Sequence, residues 1–183
     1  MNAADWYAAR AGGMVAYVLL TAVVLVGLAL SGKERLDGWP RFALEEVHRF
    51  GGALVGIFVS LHVLTLALDS QARLPLGAMI VPFASSYRPF WTGLGIVSAE
   101  LLLALALANA LRKRIGYRTW RRLHYLNFAV WIAATAHGIG TGTDTGVLSF
   151  TAVYVAAIAA VVALTARRVA RTTAPARGAD TSS

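Results

Sequence analysis

Long apolar segments alternate with short polar ones along this chain. Five segments are long and apolar enough to cross about 30 Å of hydrocarbon, which takes roughly 20 residues of helix. They cover residues 14–30, 49–68, 90–111, 123–140 and 147–166. The pattern predicts an all-α integral membrane protein built as a bundle of about five transmembrane helices.

The polar segments divide the chain into three parts. The pattern predicts an N-terminal segment at 1–13, a transmembrane domain at 14–166 and a disordered polar tail at 167–183. Between the helices, 112–122 is strongly basic and 141–146 is a short turn of Gly, Thr and Asp. The tail is polar and has little apolar surface to bury, which favours disorder.

Composition supports the membrane assignment. The chain is 57% hydrophobic and 14% charged, whereas a soluble domain has about 25% charged residues. Cysteine is absent, which excludes disulfides, thiolate-ligated haem, cysteine-held iron–sulfur clusters and a cysteine nucleophile. The net charge of +8 does not indicate a nucleic-acid partner, because the cations collect beside the apolar segments, where they serve topology in the lipid bilayer.

The distribution of lysine and arginine predicts the orientation. With the N-terminus outside and the C-terminus cytoplasmic, fourteen cations fall on the inner side and three on the outer side, as the positive-inside rule requires. The inner cations are Lys33, Arg35, Arg41, Arg49, Arg112, Lys113, Arg114, Arg118, Arg121, Arg122, Arg167, Arg168, Arg171 and Arg177.

The alanine- and arginine-rich composition is typical of a bacterium with a GC-rich genome. We therefore expect the protein in the cytoplasmic (inner) membrane.

The only histidines of the chain form two pairs on two of the predicted helices. His48 and His62 lie fourteen residues apart, and His124 and His137 lie thirteen residues apart. These spacings span about 21 Å and about 19.5 Å of helix. Because the second and fourth predicted helices run in parallel, His48 and His124 share the inner level, while His62 and His137 share the outer level.

Imidazoles at two matched depths predict two cofactor sites. A histidine in lipid is costly without a partner, so it indicates a functional site. Haem iron held by one histidine on each side fits this arrangement. A single non-haem metal fits poorly, because the levels are far apart and no carboxylate cluster completes a coordination shell. The first pair points within about 40° of one helix face, whereas the second is offset by about 140° in an ideal helix.

Other residues near the histidines are candidates for contacts with the cofactor. Gly52 provides clearance for a flat group, although ordinary helix packing also explains such glycines. Trp131 lies midway between the levels, either between two porphyrins or as a core aromatic residue. Arg49 and Arg121 are candidate partners of haem propionates, with lipid headgroups as the alternative. Glu100 is the only acid well inside a predicted helix. Whether it pairs with an arginine or relays protons stays open at the level of sequence.

Two stretches of the sequence resemble the haem-ligand helices of the ferric reductase-like transmembrane domain family. His48-Arg-Phe-Gly-Gly, with His62-Val-Leu further on, is similar to the first helix. Trp120-Arg-Arg-Leu-His124-Tyr, with His137-Gly further on, is similar to the second. The family includes the membrane parts of NADPH oxidases and ferric-chelate reductases, and the haem-binding subunit of the bacterial methionine sulfoxide reductase system. The resemblance covers 41–146.

The resemblance implies two stacked b-type haems inside the bundle. It implies that His48 and His124 ligate the inner haem iron, that His62 and His137 ligate the outer one, and that electrons flow from a cytoplasmic donor to an outer acceptor. Most members of the family have six helices, so a sixth is possible here. No Gly-x-Gly-x-x-Gly turn follows a strand, so FAD and NAD(P)H are expected only through a separate flavoprotein reductase, with quinol as the other donor.

Two further functions stay open at the level of sequence. The leading interpretation is the electron-transfer subunit of an oxidoreductase. The first alternative is a di-haem cytochrome b subunit of a quinol-linked complex, since such subunits also carry two helices with two histidines each. Glu100 and Asn127 are the internal polar candidates for its quinone pocket. A non-redox transport or scaffold protein is the remaining alternative, but broken helices with polar midpoints are not part of the pattern. The sequence names no terminal acceptor.

Overall fold

The computed structural model describes residues 3–32, 38–68, 75–142 and 147–173, and this part of the chain is helical without strands. This confirms the all-α prediction. The described helices are α1 (Ala3–Ser31), α2 (Arg41–Leu68), α3 (Leu76–Ile80), α4 (Pro89–Ala110), α5 (Arg112–Ile115), α6 (Tyr117–His124), α7 (Asn127–Thr141) and α8 (Leu148–Thr173).

Four of the described helices, α1, α2, α4 and α8, are long and apolar enough to cross a membrane. The predicted span at 123–140 is not one helix, because α6 ends at His124 and α7 begins at Asn127. The 15 residues of α7 measure about 22 Å, which is shorter than the hydrocarbon core. The described residues therefore contain four candidate spans, where the sequence predicts about five, and the predicted span at 123–140 is interrupted. Hydropathy reports the apolar length of a segment but does not detect a tight turn inside it.

Two antiparallel helix pairs form the framework of the bundle. α1 packs along α2, and α4 packs along α7, while α1 also contacts α7 and α8. α1 and α8 run towards the end of the bundle at which α2 begins and α4 ends, and α5 and α6 lie at that same end. We call it the basic end, because it carries Arg112–Ile115 and the arginines of α6.

The first and last helices extend into the two terminal segments, while the limits of the transmembrane domain stay a prediction. α1 begins at Ala3, inside the segment predicted at 1–13, and α8 continues to Thr173, past the start of the tail predicted at 167. Residues 167–173 are mostly polar, but they contain no Gly or Pro, so nothing in the sequence breaks α8 at that limit. The predicted tail from 174 onwards lies outside the described residues.

The core is a layer of apolar side chains from α1, α2, α4, α7 and α8. Hydrogen bonds between helices cross this layer. Trp131 Nε1 donates to Thr21 Oγ1 at 3.0 Å, and Thr21 donates to the Tyr17 carbonyl at 2.9 Å. Thr135 Oγ1 lies 3.2 Å from the Tyr17 hydroxyl and donates to the Trp131 carbonyl. These bonds fix the positions of α1 and α7 where apolar packing alone is weakly directional. The core residues are Tyr17, Leu20, Val24, Leu28, Val55, Leu105, Val130, Trp131, Tyr154, Ala157 and Val161.

We expect Thr21→Val to destabilise the protein by about 1 kcal/mol, because the buried indole N–H of Trp131 loses its acceptor. The measurement is the thermal midpoint in detergent by far-ultraviolet circular dichroism. Thr21→Ser keeps the hydroxyl and is the matched control. Equal midpoints for the two variants would show that the hydrogen bond contributes no stability.

Candidate functional site

The four histidines meet in pairs across the space between the two helix pairs. The ring centroids of His48 and His124 lie 6.0 Å apart with their planes at 65°, and those of His62 and His137 lie 6.4 Å apart with their planes at 71°. One pair lies at the basic end and the other at the opposite end. The tertiary structure therefore brings together the residues that the sequence assigns to each level.

α1 supports both histidines of α2 in the same way. Nδ1 of His62 lies 2.7 Å from the Ala9 carbonyl oxygen, and Nδ1 of His48 lies 3.0 Å from that of Val23. The two carbonyls are fourteen residues apart, which equals the spacing of the histidines. A carbonyl only accepts, so each Nδ1 carries the hydrogen and each Nε2 keeps its lone pair for a metal.

A glycine one turn after each of these carbonyls makes room for the imidazole. A Cβ at Gly13 would lie 3.1 Å from Nδ1 of His62, and a Cβ at Gly27 would lie 3.0 Å from Cε1 of His48. Because the Cα–Cβ bond of a helical residue leans towards the N-terminus, a side chain there covers the carbonyl four residues earlier. Gly13 and Gly27 leave these carbonyls accessible to the rings.

α4 repeats this arrangement for His137. Its Nδ1 lies 3.0 Å from the Trp91 carbonyl oxygen, and four residues later a Cβ at Gly95 would lie 2.5 Å from the same nitrogen. Three of the four imidazoles therefore occupy a site made of one helix carbonyl and a glycine one turn further on. Their orientation is fixed by backbone atoms and does not depend on flexible side chains.

His124 has a different environment. The side-chain amide nitrogen of Asn127 donates to the His124 carbonyl at 2.8 Å and lies 3.4 Å from its Nδ1. Trp120 stacks on the imidazole, with ring centroids 5.1 Å apart and planes at 27°. His124 and His137 are thirteen residues apart, so the position on α4 that corresponds to Gly95 is thirteen residues further on, at Ala108. A methyl group stands there in place of the hydrogen of a glycine.

The turn between α6 and α7 reduces the poor angular match of His124 and His137. The backbone N–H groups of Tyr125, Leu126 and Phe128 bond to carbonyls three residues earlier, which is 3₁₀ geometry with about 120° per residue. Three such residues add about 60° to the winding and reduce the expected offset from about 140° to about 80°. The break that shortens α7 thus helps to turn both imidazoles towards α2.

The geometry of each pair fits a haem iron between two imidazoles. Metal–nitrogen bonds of about 2 Å, and about 1 Å from nitrogen to ring centre, imply about 6 Å between ring centroids. The observed 6.0 Å and 6.4 Å agree with this value. Among the described residues no three His, Cys, Asp or Glu side chains cluster, so neither pair has the three or four protein ligands of a zinc site. Haem iron needs only axial ligands from the protein.

The other predicted site residues lie near the pairs but have partners of their own. Arg49 bonds to Glu46 at 2.5 Å, and Arg121 bonds to the hydroxyl of Tyr117 at 2.9 Å. Hydrogen bonds to Tyr125 and Tyr117 raise the pKa of Arg121, whose guanidinium is protonated in any case. These contacts leave the pairing of Arg49 and Arg121 with propionates as a prediction.

The remaining candidates differ in their surroundings. A Cβ at Gly52 would meet nothing within 4 Å, so there is open space beside this residue. A Cβ at Gly51 would lie 2.7 Å from the Val23 side chain, so this glycine allows α1 and α2 to pack closely. Trp131 is buried in the core with its indole N–H on α1. Glu100 is exposed on α4.

Sequence reasoning missed the contribution of α1 and α4 to the site. Carbonyls of Ala9, Val23 and Trp91 have no signature in the sequence, since every residue has a carbonyl. A signal was present nonetheless, because Gly13 and Gly27 repeat at the same interval of fourteen as His48 and His62.

Comparison with known families agrees with this geometry. The sequence model of the ferric reductase like transmembrane component matches residues 12–135, which is more than half of the chain. The chain belongs to this family. The match confirms the resemblance, and it begins early enough to include most of α1. Three of the four histidines lie inside it, and His137 lies just beyond. No curated protein and no solved structure gives a match.

Membership of the ferric reductase-like family indicates a redox or electron-transfer role in a membrane. The four apolar spans agree with a multi-pass protein in the lipid bilayer. For the members of this family haem is the usual group, and the histidine pairs are the residues of this chain that fit it.

Proposed function

We propose that this protein is a transmembrane b-type cytochrome with two haems. His48 and His124 hold one iron, and His62 and His137 hold the other. Electrons pass from a separate cytoplasmic flavoprotein at the basic end to an acceptor at the opposite face. The observation that carries the proposal is the pair of imidazole contacts at 6.0 Å and 6.4 Å, with three of the four Nδ1 atoms on backbone carbonyls.

The residues of the chain supply positioning and a dry environment. The carbonyls of Ala9, Val23 and Trp91 orient three imidazoles before any cofactor binds, and such a bond also makes the ligand more basic. The core layer around Trp131 separates the two levels and excludes water. A bound haem supplies the one-electron chemistry, with a potential set by its ligands, burial and hydrogen bonds.

The orientation of the bundle follows from charge. Arg41, Arg49 and the arginines of α5, α6 and α8 lie at the basic end, whereas Arg10 and Arg88 belong to the opposite end. The positive-inside rule assigns the basic end to the cytoplasm. In a bacterium this is the cytoplasmic membrane, with reducing equivalents available on the basic side.

The first experiment counts the haems. We expect the protein purified in detergent to show low-spin b-type spectra before and after dithionite, and a pyridine-haemochrome assay to give two haems per chain. Bis-histidine ligation fills both axial positions, which is the reason for the low-spin state. A colourless protein after expression with ample haem would refute the cytochrome assignment, and a single haem per chain would refute the two-centre form.

A further inference from the structure

A stack of aromatic rings leads from His124 to the surface at the basic end. Trp120 lies on the His124 imidazole at 5.1 Å, and Tyr117 follows at 5.8 Å from Trp120 with planes at 34°. Trp120 is half-buried, whereas Tyr117 is 64% exposed. The spacings of four and three residues place all three rings on one side of α6. A continuous contact therefore joins a candidate iron ligand to the protein surface.

Arg121 holds the outer end of this stack in place. It donates to the Tyr117 hydroxyl at 2.9 Å, and its guanidinium carbon lies 6.0 Å from the centre of the Tyr117 ring. The exposed tyrosine is thus fixed by a hydrogen bond and a cation–π contact. A side chain that served only to anchor the helix at the lipid surface would not need this fixed orientation over Trp120.

The surface around the stack carries cations without acidic neighbours in the same helices. From Arg112 to His124 the sequence has no Asp or Glu. At the start of α2, by contrast, Arg41 bonds to Glu45 and Arg49 bonds to Glu46. Cations whose own helices contain no carboxylate attract an acidic protein and accelerate its association. The cations of the patch are Arg112, Lys113, Arg114, Arg118, Arg121 and Arg122.

The exposure of the patch favours a protein over a small reductant. Sites for small molecules are concave and largely enclose the ligand. The charged side chains of α5 and α6, including those of Arg114 and Arg118, are exposed on two short helices. An exposed basic surface that includes Tyr117 is the kind of surface that a second protein covers, with aromatic and arginine residues at the centre of the contact.

We propose that the α5–α6 cations dock an acidic flavoprotein and that Tyr117 and Trp120 carry its electron to the His48–His124 level. The proposal rests on the proposed function. In this step the partner's flavin hydroquinone would be oxidised by one electron to the semiquinone, and a ferric haem iron held by His48 and His124 would be reduced to the ferrous state. No covalent bond forms or breaks, and the aromatic rings serve as the path between the two centres.

Binding tests the docking surface without any need for haem. The probe is oxidised flavodoxin, an acidic flavoprotein, titrated onto the full chain in phosphatidylcholine nanodiscs and followed by microscale thermophoresis. We expect R114E/R118E to weaken binding by about tenfold or more, while R114K/R118K stays near the unmodified chain. Wild-type binding should also weaken as salt rises from 50 to 300 mM, in line with charge screening.

Kinetics tests the aromatic path. Photoreduced flavodoxin is mixed with the haem-loaded chain in a stopped-flow instrument, and the haem absorbance is recorded. We expect W120L to slow reduction by about tenfold with flavodoxin affinity unchanged, and W120F to restore most of the rate. W39L is the matched control, because Trp39 is an exposed tryptophan at the same end of the bundle, between α1 and α2.

The outcomes separate this proposal from the proposed function. If R114E/R118E binds flavodoxin as tightly as the wild type, the cations serve lipid headgroups and the docking surface is refuted. If W120L is reduced as fast as W39L, the aromatic path is refuted. Dithionite reduces haem without a protein partner, so it shows which variants contain haem. A wild-type chain that binds no haem would contradict the proposed function. The binding experiment would still test the docking surface in that case, because it needs no haem.

Discussion

Gly95→Ala is expected to leave the protein with one haem per chain in place of two. The new Cβ would stand 2.5 Å from Nδ1 and 2.6 Å from Cε1 of His137, far inside van der Waals contact. The imidazole has to leave the Trp91 carbonyl, which fixes its orientation at 3.0 Å. With His137 displaced, the His62–His137 level loses one of its two ligands.

The higher helix propensity of alanine relative to glycine strengthens this prediction. Alanine stabilises a helix relative to glycine by about 1 kcal/mol, so a loss of haem in Gly95→Ala does not follow from a weaker helix. The measurement is the pyridine-haemochrome ratio of haem to chain, together with a redox titration that resolves two centres in the wild type. We expect only one centre to remain in the variant.

Gly12→Ala is the matched control. A Cβ at this position meets His62 only at ordinary contact distances, the nearest being 3.7 Å from its Cα. Gly13→Ala is intermediate, with its Cβ 3.1 Å from the His62 ring, so we expect weaker haem retention and not complete loss. Two haems in Gly95→Ala at wild-type stability would mean that the glycine–carbonyl site does not orient His137.

His62→Ala and His137→Ala are each expected to remove the same haem. Their rings face each other at 6.4 Å, so either substitution leaves one axial ligand in place of two, and bis-histidine binding fails at that level. The double variant should still hold one haem per chain. The same logic applies to His48 and His124, whose rings face each other at 6.0 Å.

The double variant at His62 and His137 decides the pairing. His48→Ala combined with His62→Ala removes one ligand from each haem under either pairing, so its expected complete loss of haem serves as the control. If the pairs were crossed, with His48 opposite His137, the double variant at His62 and His137 would lose both haems and not one. Haem content by pyridine haemochrome, with the chain quantified by amino-acid analysis, separates these results.

The class of the protein and the depth of its histidines could be predicted from the sequence. Apolar length is a local property, because each helix in lipid must satisfy its own backbone hydrogen bonds over the same thickness. The interval between His48 and His62 is local as well, since the rise of one helix converts it directly into depth. The family resemblance added the pairing, and the facing rings agree with it.

Other features required the tertiary structure. The contacts of His62 with Ala9 and of His48 with Val23 join residues 53 and 25 positions apart in the chain. In a membrane every face of a helix is apolar, so the sequence pattern does not indicate which face packs against a neighbour. The hydrogen bond from Trp131 to Thr21 was hidden for the same reason.

The break between α6 and α7 shows most clearly where sequence reasoning ends. Hydropathy predicts one span at 123–140, and ideal helix geometry then leaves His124 and His137 poorly aligned. The structure has 3₁₀ hydrogen bonds at Tyr125, Leu126 and Phe128, which change the winding between the two histidines. The sequence by itself determined the helical membrane class and the two depths, because both follow from length along one helix. Only the tertiary structure decided which backbone carbonyls orient the imidazoles and how the pairs face each other, because these depend on packing between distant helices.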